Sequence, residues 1–162
     1  MPLTMPDYPR PIVRINRVFD APRELVYKAW TDPKLMARWW GPHTFTTPVC
    51  RMDLRPGGSI HIDMEAPDGS ISAMTGVFQE VVPNEKLVFT SFAYLGPPEG
   101  EPGLEAIATV IFAAQGKKTL LTWEEKVIAY RPDFMQALAG MEEGMKETLD
   151  KLGTFLAGGQ PR

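Results

Sequence analysis

The segment from Asp133 to Leu156 constrains this chain most, because it reads as one amphipathic helix and as the only long helical pattern present. Phe134, Leu138, Met141, Met145, Leu149, Leu152, Phe155 and Leu156 recur at steps of three and four, while Glu143, Lys146, Glu147, Asp150 and Lys151 share the opposite side. The residues before it alternate in the manner of strands. One long helix after a run of antiparallel strands must lay its stripe on a sheet, which makes the chain α+β. Function then turns on whether the helix seals that sheet or leaves space beneath it.

Met1 to Pro11 carries Pro2, Pro6, Pro9 and Pro11 and reads as an extended lead-in. Ile12 to Phe19 has the β-branched content and two faces of a strand. At Asp20-Ala21-Pro22-Arg23-Glu24 a helix should start, with Asp20 or Ala21 as cap and Leu25, Val26, Ala29 and Trp30 as its buried face. Asp32-Pro33 repeats the signal and predicts a second short helix to about Trp39, stopped by Gly41-Pro42. Trp39 and Trp40 are adjacent and cannot point the same way on a regular element, so one of them should leave the helix, either plugging the core or forming a pocket rim.

Strands are then expected over 44–53 and 59–65, the latter alternating Ile60, Ile62 and Met64 against His61, Asp63 and Glu65. Pro67-Asp68-Gly69 suits a hairpin loop in which Ala66 pairs with Ser70, and that register puts Ile60, Ile62 and Met64 on one face with Ser72, Met74, Gly76 and Phe78. Further strands follow over 87–94, 105–114 and 118–128, with Trp123 inward beside Leu121 and Val127. The run from Gly96 to Gly103 reads as a solvated loop, and Gly158-Gly159 ends the final helix. The expected organisation is the lead-in 1–11, one domain over 12–157 and a short tail, 158–162.

Composition narrows the function classes. With 44% hydrophobic and 23% charged residues the chain of 162 residues can bury its own core, and a net charge of −3 without a basic stripe argues against nucleic acid. No run is long and apolar enough for membrane insertion, and the single Cys50 suits a reducing, cytoplasmic setting. Two histidines, His43 and His61, cannot build a three-histidine metal site, and no nucleotide-binding or nucleophile-elbow motif occurs, so no metal, cofactor or catalytic residue is assigned. His61 and Asp63 share a strand face, but it is the face opposite Ile60 and Ile62. Glu80, Glu125 and Glu142 could each approach the apolar space, where a carboxylate would titrate high.

Large, soft side chains on the presumed inner faces rise above this background. Met64, Met74, Met141 and Met145, with Phe78, Phe89 and Trp123, would make either a pliable ligand lining or a methionine-filled core.

Several motifs together resemble one superfamily: Val18 to Pro33 (VFDAPRELVYKAWTDP), Trp39-Trp40-Gly41-Pro42, Asp53 to Gly58 (DLRPGG), Pro67-Asp68-Gly69, Gly76 to Leu87 and Gly144 to Leu152. They are similar to the SRPBCC, or START-like, superfamily and within it to the branch related to the C-terminal domain of the activator of Hsp90 ATPase. The resemblance implies a helix-grip (Bet v 1/START-like) fold, with a curved antiparallel sheet of about seven strands and two short helices after the first strand, wrapped around the long C-terminal helix. It also implies a cavity between sheet and helix for a small apolar or amphipathic molecule. Trp39, Trp40, Met64, Met74, Phe78, Phe89, Trp123, Leu138, Met141 and Met145 are its expected lining. Met145 stands where this branch commonly has tryptophan, which suggests a differently shaped or larger cavity floor.

Members of the superfamily range from lipid carriers to cyclases and stress proteins. A stress- or metabolism-related binding protein is therefore the first expectation, with a cyclase- or hydrolase-type enzyme using Glu80 or Glu125 and an Hsp90-type interaction module as alternatives. A homodimer is the assembly most common among small proteins.

Overall fold

The computed structural model describes residues 11–159. The lead-in, except Pro11, and the last three residues of the tail lie outside them. Seven strands, β1 (Ile12–Phe19), β2 (Thr46–Met52), β3 (Ser59–Glu65), β4 (Ile71–Val82), β5 (Lys86–Ala93), β6 (Leu104–Gln115) and β7 (Lys118–Tyr130), form one antiparallel sheet in the order β1-β7-β6-β5-β4-β3-β2. Pro48, which has no N–H to donate, falls in β2 at the sheet edge, where the β2–β3 register shifts between Thr46 and Val49. Further shifts between Phe78 and Glu80 and between Glu105 and Ala106 locally increase twist and bend the sheet.

The β3–β4 hairpin has the expected register. Ala66 N donates to Ser70 O at 2.9 Å, Gly69 takes φ 87°, and Ile60, Ile62 and Met64 face Gly76, Met74 and Ser72. Gly76 is required for packing as well: a Cβ there would lie 2.0 Å from Thr90 O.

Between β1 and β2 run helices α1 (Arg23–Thr31) and α2 (Pro33–Met36). Pro22, rather than Asp20 or Ala21, occupies the cap of α1, and its carbonyl accepts from Leu25 N and Val26 N. The buried face is Val26, Tyr27, Ala29 and Trp30, with Leu25 turned to solvent; Tyr27 replaces it by meeting Phe112 of β6 edge-on, 5.4 Å between centroids. Asp32 caps α2 as expected, its Oδ1 accepting from Lys34 N at 2.9 Å. That helix is regular only to Met36, beyond which tighter turns carry the chain to Trp40.

The C-terminal helix is not continuous. A 3-10 turn, Pro132–Phe134, leads into α3 (Met135–Ala139), Gly140 departs from helical geometry at φ −91° and ψ 0°, and α4 (Met141–Thr154) follows. A wide π turn, Phe155–Gly159, closes it. Hydrophobic periodicity runs unbroken through the bend because Leu138 and Met141 remain on the inner side. No α3 residue is fully buried, whereas Met145, Thr148, Leu149 and Leu152 of α4 are. The lower half of α4 and the turn after it seal the sheet, with Leu149, Leu152 and Phe155 in one core with Ile15 and Phe19 of β1. Arg17 of β1 adds an ion pair to Asp150 at 2.6 Å.

The loop from Gly96 to Gly103 is more integrated than its composition suggests. Gly96 O accepts from Ala73 N, Gly103 N donates to Ala93 O, and Arg131 N donates to Gly103 O. Phe134 lies directly over Gly103, where a Cβ would fall 1.7 Å from the ring.

Candidate functional site: a recess under the C-terminal helix

All four tryptophans meet at the foot of the helix. Trp30 sits edge-on to Trp39, Trp40 and Trp123 at centroid distances of 5.0, 5.7 and 5.2 Å, and Trp40 lies 5.5 Å from Trp123. Trp30 Nε1 is buried with no hydrogen-bond acceptor among the described residues, so the neighbouring ring faces are what its N–H can meet. The adjacent pair takes both roles open to it. Trp39 is fully buried and donates from Nε1 to Ala29 O at 3.2 Å, while Trp40 turns the other way.

Trp40 and Trp123 form one wall of a recess of about 430 Å³ between the sheet and the α3–α4 segment. Met64, Ser72 and Met74 line it from β3 and β4, Ser91 and Ala93 from β5, and Leu104 from β6. Its roof is Ala137, Gly140, Met141, Gly144, Met145 and Thr148, one helical face rich in small residues. The small side chains leave room that larger ones would fill. Exposed Leu95, Ala137 and Gly140 mark the side open to solvent.

Of the residues expected to line such a space, Trp40, Met64, Met74, Trp123, Met141 and Met145 border the recess. Trp39, Phe78, Phe89 and Leu138 do not. Phe78 and Phe89 pair across β4 and β5, 5.9 Å apart, around a small void of about 10 Å³ with Trp30, Met36 and Ile60. Leu138 packs sideways onto a satellite cluster of Leu104, Ala106, Val127, Tyr130 and Phe134. Phe45, Tyr94 and the small roof residues were not foreseen; the spacing of Ala137, Gly140 and Gly144 on the inner stripe is the signal that could have pointed to the roof.

The candidate carboxylates separate cleanly. Glu80 is exposed and paired with Lys86 at 3.3 Å, and Glu142 is exposed and paired with Lys146 at 3.1 Å. Glu125 alone faces the recess, in phase with Leu121, Trp123 and Val127 along β7. Its Oε1 accepts from Trp123 Nε1 at 3.2 Å. Burial pushes its pKa from the ordinary 4.5 up to about 7, with the indole hydrogen bond opposing the shift.

Other titratable groups lie apart. His61 Nε2 and Asp63 Oδ1 are 2.8 Å apart on the opposite sheet face. Cys50 is half-buried, and desolvation reinforced by Asp32 raises its pKa to about 11, which suppresses thiolate chemistry. Among the described residues no group of three or more His, Cys, Asp or Glu could hold a metal ion.

The rim carrying Pro42 and Phe45 is fastened to α4. Lys151 Nζ donates to the carbonyls of Trp40, Pro42 and Phe45 at 3.2, 3.4 and 3.1 Å, and His43 N donates to Glu147 Oε1 at 3.1 Å. Below the rim, Arg38, His43, Asp150, Lys151, Thr154 and Phe155 border a separate surface depression of about 310 Å³.

Residues 20–157 match the family described as activator of Hsp90 ATPase homolog 1-like protein. The chain belongs to this family. A protein from Rhizobium leguminosarum has the same fold, with a TM-score of 0.79 and 25% identity over 92% of this chain and 95% of its own. One from Chromobacterium violaceum superposes with a TM-score of 0.72 and 27% identity, covering 89% and 95% of the two chains. A protein from Arthrobacter aurescens, solved by NMR, gives 0.78 and 26% over 90% and 86%. No curated protein matches the sequence. The seven-stranded antiparallel sheet with its C-terminal helix is the helix-grip arrangement of these relatives. No helix among the described residues is long and apolar enough to cross a membrane.

Proposed function

We infer that this protein binds a small apolar or amphipathic molecule in the recess between the sheet and the α3–α4 segment. The observation that carries the reading is the recess itself: about 430 Å³, walled by Trp40, Trp123, Met64 and Met74 and roofed by a helix face of small residues and methionines. That volume lies in the range of small-molecule sites, roughly 300–1,000 Å³, and methionine walls adapt to ligands of varied shape. Trp40, Met64, Met74, Trp123, Met141 and Met145 are the proposed contact residues.

The test is native mass spectrometry of the freshly purified protein, followed by thermal-shift screening against lipids and aromatic compounds. A copurifying small molecule or a ligand-dependent rise in Tm supports the reading; no bound mass and no shift across the panel refutes it.

A catalytic reading is favoured by one feature, the buried Glu125, which could act as an acid or base near neutral pH. Trp123 Nε1 is its hydrogen-bond partner, and among the described residues that line the recess there is no second carboxylate and no histidine, lysine, arginine or cysteine. Binding therefore ranks ahead of catalysis. A chaperone-interaction role rests on the family description alone, and the ATPase rate of an Hsp90 homologue with and without the protein decides it.

A further inference from the structure

Among the described residues no cation borders the Glu125 carboxylate. Its cross-strand neighbours are Val13 on β1 and Ala108 on β6, and the helix above it presents Met141, Gly144, Met145 and Thr148. Among the described residues no lysine, arginine or histidine borders the recess. The charged residues of α4 lie elsewhere: Lys146 pairs with Glu142, Lys151 with the rim carbonyls, Glu147 and Asp150 with the rim and Arg17, and Glu143 is exposed. The other titratable group at the recess, the Tyr94 hydroxyl, lies 3.4 Å from Thr75 Oγ1. Trp123 Nε1 occupies one carboxylate oxygen, and among the described residues nothing occupies the other.

An ionised carboxylate in apolar surroundings is costly unless a partner of opposite charge reaches it. A recess that offers one negative group, no positive group and mainly apolar walls with a few neutral hydroxyls complements a cation on an apolar body. Resting on the binding reading above, we propose that the ligand is a cationic amphiphile, an alkyl or aryl amine whose ammonium group donates to Glu125 while its apolar body lies against the tryptophan and methionine walls. Fatty acids and other anionic amphiphiles are disfavoured by like charge wherever Glu125 is ionised. No covalent step is involved.

Calorimetric titration of the full chain at pH 8 with n-decylamine, n-decanol and sodium decanoate tests this with one apolar body and three head groups. A charge-assisted hydrogen bond should make the amine bind at least about tenfold more tightly than the alcohol, with decanoate weakest. In E125Q, which keeps an acceptor for Trp123, the amine should lose that advantage while decanol binding is retained. Equal amine and alcohol affinities in the unmodified protein, or an amine preference that survives in E125Q, overturn the proposal.

The unmodified protein supplies a second measurement if E125Q does not fold. Its amine preference should shrink between pH 8 and pH 5.5 as the carboxylate takes up a proton, and an unchanged preference overturns the proposal equally. Decanol binding without an amine preference removes the cationic ligand and leaves the recess as a binding site; no binding by any of the three removes both.

Discussion

Trp123 and Glu125 stand two residues apart on the inner face of β7, and the indole Nε1 of the first donates to Oε1 of the second at 3.2 Å. The strand thus places an aromatic wall and an ionisable group side by side in the recess, joined by one hydrogen bond.

This pair makes stability pH-dependent with a definite sign. With a pKa of about 7 in the fold against 4.5 ordinarily, folded Glu125 holds a proton that the unfolded chain has released. Between those values folding takes up a proton, so stability conferred at low pH is lost as pH rises through the window. The full change is roughly 3 kcal/mol. E125Q should flatten urea-denaturation stability between pH 4.5 and 8 and exceed the unmodified protein at the upper end. Equal pH profiles for the two proteins would sink the assignment.

How much of this was legible in the sequence depends on what each residue was asked to report. Period-2 alternation fixes which face a side chain takes, so the β3–β4 register and the inward phase of Trp123 were readable, and Glu125 follows from the same phase. Alternation does not say how far along the strand the helix lifts away. Phe78 and Phe89 share the inner face with Met74, yet they lie at the end packed beneath Trp30 and Met36. Leu138 fits the helical stripe, but the bend at Gly140 turns α3 toward the satellite cluster. Face was legible; depth, set by sheet curvature and the bend, was not.

Met145 is 5% exposed and forms part of the roof. Met145→Trp should push an indole into the recess, abolishing ligand-dependent thermal shifts while the circular dichroism spectrum stays native. A fully packed site would respond differently, losing about 1–3 kcal/mol of stability from overpacking.

Lys151 should hold the rim in place. Lys151→Met keeps the stem but leaves the carbonyls of Trp40, Pro42 and Phe45 without the ammonium donor, at a cost of about 1–3 kcal/mol. Hydrogen exchange should rise locally in residues 40–45, and the strands far from the rim should keep their relative protection. Unchanged exchange there would show that the lysine does not fasten the loop.

Phe134 and Gly103 are matched by shape, since a methyl group at 103 would fall 1.7 Å from the ring. Gly103→Ala must displace Phe134, which carries the start of α3 and borders the recess. The expected loss is about 1–3 kcal/mol in chemical denaturation. Pairing it with Phe134→Leu, which removes the clashing ring edge, should recover part of that loss; strictly additive losses would place the strain elsewhere.

Gly144 should separate stability from function. It lies inside α4, where glycine costs roughly 0.5–1 kcal/mol relative to alanine, and its Cβ would meet only Pro42 Cγ at 3.7 Å, an ordinary contact. Helix energetics therefore favour alanine, and the added methyl would project from the recess roof. Gly144→Ala should raise Tm while weakening binding of whatever molecule the recess holds, and Gly144→Leu should weaken it further. Had the glycine been there only to let the helix approach the rim, the methyl would lower Tm as well. A rise in Tm with reduced affinity is the signature of a roof kept small to keep the recess open.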